Sequence, residues 1–190
     1  MDNAICLVVM PPGMPDEAAI APNAEHCSPA DPAPDGWQTV ILQAENAPQS
    51  PALTIAIPPY YERRDQPEMP EQGGALWGAA TMWCWAAAPS QSESGRNRAA
   101  LSVWFATSGG FATSGAPMGS VLENLHECVA VLGDRRFNQC TFEVRFPDST
   151  LRYFAVATWD LGGNVWMKAM LHSAELPELQ VGLAVLRSVR

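Results

Sequence analysis

Fifteen residues from Ala75 to Pro89, ALWGAATMWCWAAAP, carry three tryptophans and no charge. An indole buries on the order of 200 Å², so Trp77, Trp83 and Trp85 belong either to the centre of a core or to a surface made to be covered. The period bears first on whether the indoles lie together. Read as a strand, the run places Trp77, Trp83 and Trp85 on one face with Ala79 and Thr81, and Leu76, Ala80, Met82 and Cys84 on the other. Read as a helix, it points Trp83 and Trp85 about 200° apart. The strand gathers the indoles, and Gly78 then marks a bulge or a close backbone approach. The run is also shorter than the about 20 apolar residues a spanning helix needs. No membrane span is expected there or elsewhere.

The flanking segments extend the strand pattern. Ala4 to Met10 is a short apolar candidate ending at Pro11-Pro12, and Gln38 to Glu45 with Ala52 to Ile57 reads as a hairpin across Asn46 to Pro51. Ala99 to Thr107, AALSVWFAT, is an aromatic strand expected to pair with the tryptophan run. Cys140 to Phe146 and Thr150 to Asp160 flank a Pro147-Asp148-Ser149 turn. Leu161 to Asn164, with its Gly-Gly pair, turns into Val165 to His172. Two helices are expected. Over 118–132, Val121, Leu125, Cys128, Val129 and Leu132 form an apolar stripe, Ser120 and Glu123 have capping-box spacing, and Gly133 supplies a stop. Over 177–189, Leu179, Leu183 and Leu186 share a stripe behind Pro177. The expected fold is α+β, a mostly antiparallel sheet of about seven or eight strands packed with these helices. The 190 residues suit a single globular domain, with Pro-rich loops at 11–36 and 58–74.

Charge narrows the partners. Twenty acids against 11 bases give a formal charge of -9, and Lys168 is the sole lysine. Binding to phosphates needs clustered cations, but the arginines occur as scattered pairs, so nucleic acid is not expected as a ligand. An acidic surface instead favours a protein partner with a basic face. The first residues, MDNAICLVVMPPG, put an acid at position 2 and lack a basic n-region, so they do not read as a secretory signal. Cys6, Cys27, Cys84, Cys128 and Cys140 are odd in number and lack CxxC spacing. They read as free thiols in a reducing, cytoplasmic setting.

Chemistry is sparse. A Gly/Ser/Thr stretch, Ala106 to Gly115, precedes the expected helix at 118–132, but it lacks GxxxxGK[ST] and GxGxxG and has no lysine nearby. His126 and Cys128, two apart on a helix, point too far apart to grip one metal. His26-Cys27 gives adjacent ligands without a full set, and Cys140 with His172 is a conceivable nucleophile and base on neighbouring strands. No catalytic, cofactor or metal residue is assigned from these patterns.

The expected function is therefore non-enzymatic protein binding, as by an immunity protein that blocks a toxin or a chaperone or adaptor for a secreted effector. The second Pro-rich loop carries the expected contact residues: Tyr60, Tyr61, Glu62, Asp65, Glu68 and Glu71, aromatic anchors among acids. The alternatives are a small-molecule or enzymatic domain with Trp83, Trp85, Trp104 and Trp159 lining a pocket, and an assembly subunit exposing strand edges.

Overall fold

The structure is a computed structural model that describes residues 9–10, 25–27, 33–43, 51–64, 81–88, 99–107, 114–115, 119–132, 135–162 and 165–190. In chain order its elements are β1 (Val9–Met10), β2 (Gln38–Leu42), β3 (Leu53–Ile57), β4 (Tyr61–Arg64), β5 (Thr81–Ala87) and β6 (Ala100–Thr107). These are followed by β7 (Ser114–Gly115), β8 (Val121–Leu132), β9 (Arg135–Arg145), β10 (Leu151–Gly162), β11 (Val165–Ser173) and α1 (Leu176–Arg187). Seven strands form one sheet in the order β4-β5-β6-β11-β10-β9-β8, and every neighbouring pair is antiparallel. β2 and β3 form a separate antiparallel pair, and β1 runs parallel to β7. The architecture is α+β.

Local chemistry sets the reversals. Between β9 and β10 the Thr150 N–H donates to Asp148 Oδ1 at 2.9 Å, and Ser149 takes φ +68°. Between β10 and β11 the register shifts after Asp160, and Gly162 adopts φ +80°, where a side chain is disfavoured. Both turns lie where the sequence places them.

The tryptophan run follows the strand period. In β5, Trp83 faces Val103 and Trp85 faces Leu101 of β6. Trp85 is buried in the core, and half-buried Trp83 meets the edge of Phe105 with centroids 5.5 Å apart. Trp77 and Gly78 lie outside the described residues.

Two apolar layers sit on the large sheet. On one face, Leu101, Val103, Phe105, Phe137, Trp159, Met167 and Leu171 pack beneath Leu179, Val185 and Leu186 of α1 and beneath Leu53, Ile55 and Ile57 of β3. Small Ala155, Ala157 and Ala169 on the central strands lower this face and let the covering layer approach. The approach is tight at Gly182: a Cβ there would come within 2.5 to 2.9 Å of Leu171 side-chain atoms. On the other face Phe142 stacks on Phe154 at 5.0 Å, among Cys140, Val144, Val156 and Met170. The chain end then joins the small sheet. Arg190 exchanges two backbone hydrogen bonds with Thr54, at 2.9 and 3.0 Å, and Ser188 Oγ accepts from the Ala56 N–H at 2.8 Å.

The C-terminal helix forms as expected, with Pro177 in its first turn. The helix expected over 118–132 does not: Val121–Leu132 is β8, paired along β9. The strand carries a bulge. The register shifts between Glu123 and His126, where one extra residue is accommodated and Asn124 takes φ +52°. The apolar stripe is not one face of the strand: Val121 and Leu125 are exposed, while the adjacent Cys128 and Val129 are buried on opposite sides of β8. Glu123, read as a capping residue, instead accepts from Arg145 Nε and Nη2 at 3.1 and 3.0 Å.

Two expected loops also contain paired segments. Tyr61–Arg64 is a strand on β5, within the 58–74 stretch. Within 11–36, the Cys27 N–H donates to the Val129 carbonyl at 2.9 Å, and the Val129 N–H donates to the Glu25 carbonyl at 2.8 Å. A disulfide joins Cys27 to Cys128 across 101 residues of sequence. Cys84 is disulfide-bonded as well, and Cys140 is a buried free thiol. The expectation of five free thiols is thus corrected. A bond between residues so far apart leaves no local spacing signal, because only the strand pairing brings them together. No described helix is long and apolar enough to cross a membrane.

Candidate functional site

Tyr60 and Tyr61 are placed by the junction between β3 and β4. Pro58-Pro59 restricts the backbone after β3, and the Tyr61 N–H donates back to the Pro58 carbonyl at 3.0 Å, closing a tight turn. The Tyr60 carbonyl accepts from the Ala88 N–H at 2.7 Å, which ties the turn to the end of β5. Tyr60 sits in the turn and Tyr61 opens β4, and the two rings, though side by side, are covered to different extents. Tyr61 enters the core at 5% exposure, while Tyr60 stays at 40%. Their centroids are 5.2 Å apart, tilted by 60°.

Both phenols converge on one carboxylate. Tyr61 donates to Glu178 Oε2 at 3.2 Å, and Tyr60 lies 3.4 Å from each Glu178 oxygen. Glu178 stands in the first turn of α1, where the helix dipole favours negative charge. Burial, reinforced by the Glu178 charge, pushes the Tyr60 phenol up to about 12 and the Tyr61 phenol higher still. At neutral pH both therefore remain donors. Tyr60 and Glu178 thus make a rim where an exposed aromatic ring meets a carboxylate.

The other expected contact residues divide. Tyr61 belongs to the core and offers little surface to a partner. Exposed Glu62 accepts from Arg64 Nη2 at 2.9 Å. Asp65, Glu68 and Glu71 lie outside the described residues. Glu178 is not singled out by any motif; an acid in the first turn of the expected C-terminal helix is its one trace in the sequence.

The residues considered for catalysis or metal binding are kept apart. Cys140 is on β9 and His172 on β11, with β10 between them; Cys140 is in register with Val156, and His172 with Phe154. They are not on neighbouring strands, as a nucleophile and base would need. Burial, then the Glu127 charge, raises the Cys140 thiol to about 12, so it is not a thiolate. Burial lowers His172 to about 4, with Arg152 adding to the effect. His126 and Cys128 share a strand face, since β8 is not a helix, but Cys128 is committed to Cys27. Among the described residues no group of three or more His, Cys, Asp or Glu is placed to hold a metal ion. The phosphate-loop possibility at Ala106 to Gly115 loses its premise, because a strand and not a helix follows it. Of the tryptophans considered for a pocket, Trp85 and Trp159 are core residues; Trp159 stacks on Phe137 at 4.9 Å.

No known family model matches the chain, and no curated protein is similar to it.

Proposed function

We propose that the protein acts by binding another protein, with the rim of Tyr60 and Glu178 as the contact surface. The observation that carries this reading is the split between adjacent tyrosines. Tyr61 is buried as an anchor, while Tyr60 is held half-exposed beside a carboxylate. A ring fixed in this way contributes contact area with little further loss of rotamer freedom. Glu178, in a chain of net charge -9, suits a partner that presents arginine or lysine beside an apolar residue. An immunity protein or an effector chaperone fits such a role.

The setting we propose is an oxidising compartment rather than the cytosol. The Cys27–Cys128 bond and the disulfide at Cys84 support it, because such bonds persist where thiols are not kept reduced. The test is co-purification from the native host under non-reducing conditions, followed by Tyr60→Ala. The partner should be lost while the unfolding midpoint stays within about 1 °C of wild type, as expected for a surface change. Retention of the partner by Tyr60→Ala would remove this rim from the interface, and recovery of the chain alone would refute the binding role.

A further inference from the structure

We infer that the outer edge of β2 pairs with the same edge of a second copy of this chain, antiparallel about a two-fold axis at Val40. The hydrogen bonds on the far side of β3 establish which way β2 points. Thr54 bonds reciprocally to Arg190, and the Ala56 N–H donates to Ser188 Oγ, so these groups face away from β2. Ile41 lies opposite Thr54, and Thr39 opposite Ala56. Both are therefore non-hydrogen-bonded pairs of the β2–β3 ladder. The N–H and C=O of Thr39 and Ile41 are directed outward. Among the described residues nothing is hydrogen-bonded to them.

Those groups are complementary to themselves. With the axis at Val40, Thr39 of one copy lies opposite Ile41 of the other, and Ile41 opposite Thr39. Each outward N–H then meets an outward C=O. Such an interface is isologous, the same patch serving on both subunits. The side chains agree, since Thr39 is exposed and Ile41 is 67% exposed. Gln38–Leu42, QTVIL, has no charge, proline or bulge, the devices that normally block strand addition. Without charge, the edge gives a basic partner nothing to read, and it places no like charges in register when two copies meet. What opposes pairing is the net charge of -9 per copy, which acts at longer range and is screened over about 8 Å at physiological salt.

Sedimentation velocity on the full chain, across protein concentration at low and high salt, tests this. The expected result is a monomer–dimer equilibrium that shifts toward dimer as salt rises. Thr39→Pro deletes an outward N–H without breaking a bond to β3. It removes one intermolecular hydrogen bond per copy and should weaken the dimer by about 10- to 100-fold. Ile41→Lys, which adds a charge to the edge, should also weaken it, and unchanged circular dichroism in both variants would show the fold intact. A wild-type chain that stays monomeric throughout would overturn the inference, as would a dimer equally tight in both variants. So would a monomer that binds an extended synthetic peptide at this edge and loses it in Thr39→Pro, since the edge would then belong to a foreign strand.

Discussion

The outer margins of β8 and β2 are both strand edges, yet they are built in opposite ways. β8 is twelve residues long and carries a bulge at Asn124, a Glu123–Arg145 ion pair at 3.0 Å, and the Glu25–Cys27 segment bonded to Val129 and held by a disulfide. β2 is five residues, without a register shift and uncharged, with exposed Ile41. Edge protection is thus concentrated on the large sheet, and pairing capacity is left on the small one. The difference separates the part of the molecule that holds the fold from the part free to meet something else.

The comparison breaks if the two sides respond alike to substitution. Trp85→Ala, beneath the large sheet's covered face, should cost roughly 3 to 5 kcal/mol in chemical denaturation, because it empties a packed site. Loss below about 1 kcal/mol would mean that this face is not a sealed core. Cys27→Ser with Cys128→Ser, which unfastens the β8 margin, should cost roughly 2 to 4 kcal/mol. The double variant should also speed amide exchange at Val129, whose N–H bonds to Glu25.

Acid should act on the large sheet through His172, whose Nε2 has no hydrogen-bond partner among the described residues. Its folded-state value lies near 4, below the ordinary 6.5, so the unfolded chain binds the proton more readily. The contribution to stability is complete above pH 6.5 and falls as pH drops toward 4, by up to roughly 3 kcal/mol. Comparing His172→Gln with wild type at pH 7 and at pH 4.5 isolates this slope, which the variant should flatten. The smallest effect is expected at β2: Ile41→Thr should change monomer stability by no more than about 0.5 kcal/mol. A loss there as large as that from breaking the disulfide would erase the distinction between the margins.

Much of the sheet was legible in the chain because its signals are local. Alternation marked β3, β5 and β6, and Pro147-Asp148-Ser149 and Gly162 marked the reversals on either side of β10. The error at β8 was also local in origin. The spacing of Val121, Leu125, Cys128 and Val129 fits a helical stripe, but in the strand Val121 and Leu125 are exposed and Cys128 and Val129 face opposite ways, and only the ladder with β9 shows it. Of the candidate site, Tyr60 was legible as an aromatic in a proline-rich segment. Glu178 was not, because 118 residues separate it from the phenol that reaches it.

By itself, then, the sequence determined the strand-rich class, the shared strand face of Trp83 and Trp85 and the C-terminal helix, since backbone period and turn chemistry act over a few residues. Tertiary structure alone decided that Cys27 meets Cys128, that Tyr60 and Tyr61 share Glu178, and that Thr39 and Ile41 keep their backbone groups outward. Each depends on which distant strand or helix occupies the neighbouring place. That choice is made by packing the whole sheet, and no local spacing encodes it.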